Sequence, residues 1–92
     1  MARMIAKRRE QGAGPAAFPL ALAGEGEQVR IVLIHGGRMV QQKMLNMGLH
    51  LDDVIQVVHR QGQGAVLIAK AGHSYAFGGG MSHKIKVERV ER

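Results

Sequence analysis

Cysteine and tryptophan are absent from the 92 residues, and Phe18, Tyr75 and Phe77 are the only aromatics. Without cysteine there are no disulfides, no thiolate metal sites and no cysteine nucleophile. With so few aromatics, core packing falls to Val, Ile, Leu and Met. Long apolar runs are missing too. The longest in the folded part, Ile31-Val32-Leu33-Ile34, is far short of the roughly 20 residues a membrane helix needs. The opening Met1-Ala2-Arg3-Met4-Ile5-Ala6-Lys7-Arg8-Arg9 places charge where a secretory signal requires an apolar stretch. These absences point to a cytoplasmic protein without membrane insertion.

What is present amounts to one small domain with a modest core, burying roughly 60–65% of its unfolded surface. The net charge is +6, and half of that excess falls on residues 1–17, where Arg3, Lys7, Arg8 and Arg9 oppose Glu10. That segment ends in Gln11-Gly12-Ala13-Gly14-Pro15-Ala16-Ala17 and reads as a flexible basic tail. Residues 18–92 read as the folded domain. A stripe of cations interleaved with aromatics would suit single-stranded nucleic acid. Here Lys84 and Lys86 instead alternate with Ile85 and Val87 in an ordinary strand pattern, so the charge reads as a solvated face and not as a nucleic-acid surface.

The folded part begins with the apolar lead-in Phe18–Ala23 and the turn Gly24-Glu25-Gly26-Glu27. Five strands are predicted: Gln28–His35, Val54–His59, Ala65–Ala69, His73–Phe77 and Lys84–Glu88. In the first, Val29, Ile31 and Leu33 alternate onto one face. A short turn at Met81-Ser82-His83 precedes the last. Glycine turns separate the strands, and one helix interrupts them between Gly36-Gly37 and Gly48. On a helical wheel Met39, Val40, Met44 and Met47 share an arc of about 140°, the width of a core-facing stripe. Gly48 sits where a helix end favours left-handed geometry, and Leu49 can fold back on the last turn. Five short strands with one helical insert describe a mainly β fold, a small SH3-like barrel.

No catalytic constellation is present. Ser74 and Ser82 have histidine neighbours, but adjacent strand residues face opposite sides, so His73 cannot activate Ser74. Gly78-Gly79-Gly80 lacks the Lys-Ser/Thr end of a phosphate loop. The histidines His35, His50, His59, His73 and His83, with Asp52 and Asp53, are the only side chains suited to a ferrous or zinc site. None pairs at the spacings that pre-form one, and they read as polar residues at strand ends and turns. No cofactor is implied. On the helix, Arg38, Gln41 and Leu45 point away from the Met stripe. Leu45 is apolar where a purely structural helix prefers a polar residue. Either it tucks beneath a neighbouring loop, or it centres a partner-binding patch for another protein or a second copy of the chain.

The order and spacing of three blocks resemble the FeoA family, the small proteins associated with bacterial ferrous iron uptake. The first block is Pro19-Leu20, Ala23, Gly26-Glu27, Ile31, Ile34 and Gly36-Gly37. The second is Lys43-Met44, Met47-Gly48-Leu49, Ile55 and Val57. The third is Gly72, Ala76-Phe77-Gly78, Met81, Lys84-Ile85 and Val87. Two positions depart from the family pattern: Leu51-Asp52 stands where Pro-Gly is usual, and Lys43 where Arg is common. Asp tolerates the left-handed geometry such a turn needs. The resemblance implies an SH3-like barrel without catalytic activity that binds and modulates FeoB, the membrane ferrous iron transporter. The C-terminal domain of iron-dependent repressors of the DtxR type is a related barrel. That relationship implies the alternative, a regulatory domain binding metal or a transcription factor. A third class, a self-assembling structural module, would form a stable oligomer with no other partner.

Overall fold

A computed structural model describes residues 16–90. The expected basic tail lies outside the described residues except for Ala16 and Ala17. Six antiparallel strands form one sheet in the order β1-β6-β2-β3-β4-β5. They are β1 (Phe18–Pro19), β2 (Gln28–Ile34), β3 (Val54–Arg60), β4 (Val66–Lys70), β5 (His73–Phe77) and β6 (Ile85–Arg89). The helix α1 (Arg38–Asn46) lies between β2 and β3, and one helical turn, α2 (Gly79–Ser82), lies between β5 and β6.

Alternation builds the core. Val29 and Ile31 from β2, Ile55 and Val57 from β3, Val66 and Ile68 from β4, and Ile85 and Val87 from β6 are all buried. Leu20, Met44, Leu49 and Phe77 join the same cluster. Side chains of period two send every second residue of each strand to the interior, and each fully buried aliphatic contributes about 1.5–3 kcal/mol.

Two expectations change in the sheet. The apolar lead-in contributes a sixth strand, with Phe18 opposite Val87 and Pro19 opposite Lys86, before Leu20–Leu22 turns as a 3-10 helix. The residues are too few to carry an alternation, so pairing with β6 alone defines them as a strand. Leu33 does not share the face of Val29 and Ile31. Ile31 opposes Val87 while Leu33 opposes Lys86 and Ile34 opposes Ile85, leaving Val32 as an extra residue. That bulge reverses the parity, so Ile34 packs on the core and Leu33 lies beside Lys86. A second bulge at Val58 does the same on β3, between Val57 opposite Ile68 and His59 opposite Leu67.

The expected turn at Met81–His83 is the end of α2. Its Ser82 is buried, with Oγ 2.5 Å from the Gly64 carbonyl and 3.1 Å from that of Gly79. The first contact fastens α2 to the loop between β3 and β4. At Gly79 that loop passes so close that a Cβ would lie 2.1 Å from the Gln63 carbonyl oxygen.

Candidate partner-binding site

The helix α1 is short and fixed more firmly at one end than at the other. At its C-terminus the Gly48 N–H donates to the Leu45 carbonyl and the Leu49 N–H to the Met44 carbonyl, each at 2.9 Å. Gly48 has φ +75°. Both bonds, the left-handed glycine and the buried Met44–Leu49 pair make this a Schellman closure, as the Met-Gly-Leu sequence implies. The N-terminus is capped by Gly37 without a side-chain hydrogen bond, and no acid lies in the first turn. Gln41 compensates from its side chain, Nε2 donating to the Ile34 carbonyl at 3.0 Å. Gly36, at φ +114°, lets Val40 pack close; a Cβ there would stand 2.7 Å from Val40 Cγ2.

Met44 is the only fully buried side chain among the nine residues of α1. Val40 is half-buried, and Met47, just past the helix end, packs partly against the core. Met39, expected inside, is 85% exposed. The buried arc is narrower than the four-residue stripe and centres near Met44, and Met39 stands at its far margin on the loosely held first turn. Leu45 is 56% exposed, so it does not tuck beneath a loop. Arg38 and Gln41 are exposed on the same side. The outward side therefore presents Leu45 with Arg38, Gln41 and Gln42, while Met39, about 120° from Leu45 around the axis, stands with Lys43 on the other flank. Met39 and Gln42 escape a reading based on apolar spacing alone. The signal for Met39 was the lack of any acid or side-chain cap ahead of it, which leaves that first turn to stand off the barrel.

Of the candidate histidines, His50 and His59 lie beside acids. His50 Nδ1 is 3.5 Å and Lys70 Nζ 2.7 Å from Asp53 Oδ2, and Lys70 also donates to the Gly48 carbonyl at 2.7 Å. Burial pushes the Asp53 carboxyl up, but the bonds from Lys70 and the His50 N–H outweigh it and hold it below the usual range. His59 Nδ1 is 2.9 Å from Glu25 Oε2, which also accepts the Arg60 N–H at 2.8 Å. That backbone bond is the chief reason the Glu25 carboxyl is lowered. Glu27 is lowered by the Arg89 guanidinium, at 2.5 Å, and the Gly24 N–H. Among the described residues no three or more His, Asp or Glu converge as a metal-ligand set. Among the described residues His35 and His73 are exposed without acidic partners, and His83 Nδ1 is 2.6 Å from the Gly79 carbonyl. Ser74 is exposed at the sheet edge, while the Ser82 hydroxyl is consumed in packing.

The family model of the FeoA domain matches residues 18–89. The chain belongs to the FeoA family. A protein of Methanocaldococcus jannaschii named for Fe(2+) transport, as transport protein A, is 36% identical over 74 residues, 80% of this chain and 89% of that one. A crystal structure of FeoA, described as an iron uptake regulatory protein, superposes with a TM-score of 0.74 at 31% identity. It covers 80% of this chain and 99% of its own. A manganese-dependent transcriptional repressor has a TM-score of 0.76 over 83% of this chain and 43% of its own, at 19% identity. That last likeness is one of fold, and it extends the SH3-like architecture of this FeoA domain to the barrels of metal-dependent repressors. Among the described residues no helix is long and apolar enough to cross a membrane.

Proposed function

We propose that this FeoA-family chain is a non-enzymatic accessory protein of ferrous iron uptake. It binds and modulates a FeoB-type transporter on the cytoplasmic side, through the outward face of α1. The observation that carries this reading is the helix itself. Nine residues are inserted as a helix into a mainly β chain, only Met44 among them is fully buried, and Leu45 and Met39 are left in solvent. A helix kept for packing would hide more of its apolar surface. A helix kept for presentation exposes an apolar centre with polar neighbours, the pattern of a small contact surface. In this reading Leu45 is the anchor, and Arg38 and Gln41 set its orientation. Family membership and the iron-transport names of the relatives supply the choice of partner. The test is capture of the transporter's cytoplasmic domain by the full chain and by Leu45→Glu. Binding lost in a folded variant supports the reading. Undiminished binding moves the contact elsewhere, and no capture by the unmodified chain removes the transporter as partner.

A further inference from the structure

The described acids are confined to three places: Glu25 and Glu27 in the turn before β2, Asp52 and Asp53 before β3, and Glu88 on β6. From Gln28 to Leu51 there is none, while Arg30, Arg38 and Lys43 all fall in that span. The fold then adds cations from elsewhere to the same end of the sheet. The His35 N–H donates to the Lys84 carbonyl at 2.7 Å, three residues before Arg38, and Lys86 stands opposite Leu33. Arg38, Lys43 and Lys84 are exposed, and none of them has a carboxylate within salt-bridge distance among the described residues. Two cations elsewhere are spent on acids, Lys70 on Asp53 and Arg89 on Glu27, and Arg60 donates to the Ala21 carbonyl. The nearest acids past the helix are the Asp53 so consumed and Asp52, on the loop whose N–H returns to the Ile31 carbonyl.

We infer that the outward side of α1 recognises an acidic, amphipathic segment of a partner protein, with carboxylates opposite Arg38 and Lys84 and an apolar side chain against Leu45. The inference rests on the docking role proposed for α1 and specifies the chemistry of what docks. Charge complementarity selects the partner's sign, and Arg38 offers the planar fork that carboxylates accept. Other polyanions fit less well. Single-stranded nucleic acid needs aromatic platforms, yet Phe77 is buried, Phe18 and Tyr75 pack on the core, and the Phe18 face is covered by Arg89 at 4.7 Å. A lipid surface needs a broad apolar face, and α1 exposes only Met39 and Leu45 as large apolar side chains.

The experiment measures binding of the full chain to the transporter's cytoplasmic domain at about 50 mM and about 300 mM salt, with anionic vesicles and a single-stranded oligonucleotide as parallel probes. The expected result is protein binding that weakens about tenfold or more across that range. Arg38→Glu with Lys84→Glu should lose it at both salts, and the neutral pair Arg38→Gln with Lys84→Gln should weaken it in part. These exposed positions leave the cations of residues 1–17 untouched, so a loss belongs to this face. Binding indifferent to salt and to both pairs overturns the inference while the docking role stands. Equal or tighter binding to vesicles or oligonucleotide overturns the protein partner. No capture of the transporter domain at either salt overturns the docking role, and the inference with it.

Discussion

Met44 and Leu45 are adjacent in sequence and opposite in environment: Met44 is 1% exposed and Leu45 56%. The 100° step between them carries one into the core beside Leu49 and the other into solvent. Met44→Ala should therefore cost about 2–5 kcal/mol of folding stability, from lost burial and a cavity that the neighbouring strands fill only in part. Leu45→Glu should change stability by no more than about 0.5 kcal/mol, since its surroundings are already water. Urea titrations of the two variants check the pair. Unfolding of Leu45→Glu would place that residue in the core and withdraw it from the contact face.

Glycines on α2 make a second contrast. Gly79 and Gly80 are neighbours, but only Gly79 is crowded, by the Gln63 carbonyl; a Cβ at Gly80 meets nothing within 4 Å. Gly79→Ala must push the two loops apart and expose the Gly64 carbonyl that Ser82 approaches at 2.5 Å. Its expected cost is about 2 kcal/mol or more, and Ser82→Ala, which leaves that carbonyl buried and unpaired, about 1–3 kcal/mol. Gly80→Ala should be neutral or stabilise by up to about 1 kcal/mol, because alanine restricts the unfolded chain. Thermal melts of the three variants rank them.

The sequence made the strands and the helix end legible because each rests on a local rule. Gly48 and Leu49 close α1 as their types demand, and Asp52, at φ +74°, holds the left-handed turn where the family usually has glycine. Long-range pairing was not legible. Leu33 changes faces only because Val32 is squeezed out opposite β6, and Phe18–Pro19 becomes a strand only by meeting Val87 and Lys86. Met39 was misplaced for a related reason. A helical wheel treats all turns alike, whereas the first turn of α1 is held mainly through Gln41 and the last by a full closure. Phase placed Arg38, Gln41 and Leu45 away from the Met stripe but left open whether Leu45 tucks beneath a loop, which only its 56% exposure in the fold answers.

The β4–β5 hairpin offers a stabilising change. Lys70 pairs with His73 across Ala71 and Gly72, whose φ values are +51° and +83°. Two successive left-handed residues are the geometry of a type I′ turn, which favours Asn-Gly over Ala-Gly. Ala71→Asn relieves a left-handed alanine and should raise stability by about 0.5–1 kcal/mol, read as an increase in the urea midpoint at unchanged slope.

Acid should weaken the domain through Asp53. Its carboxyl is held below the ordinary 3.8 by Lys70 and the His50 N–H despite partial burial. The unfolded chain therefore binds that proton more readily than the folded one. The stabilisation is complete above about pH 4 and is lost as pH falls through the lower folded value. Glu27, lowered from 4.5 by Arg89 and the Gly24 N–H, acts in the same direction. Stability should be nearly flat from about pH 7 to about pH 5 and then decline. Asp53→Asn leaves Lys70, which is largely covered, without its counter-charge. That variant should be less stable at neutral pH, and its deficit should shrink as pH falls through the lowered folded value, where the native carboxylate is itself protonated. Urea titrations of both chains across this range decide the matter. A deficit independent of pH would mean that Asp53 contributes through the shape of the His50–Asp53 turn and not through its charge.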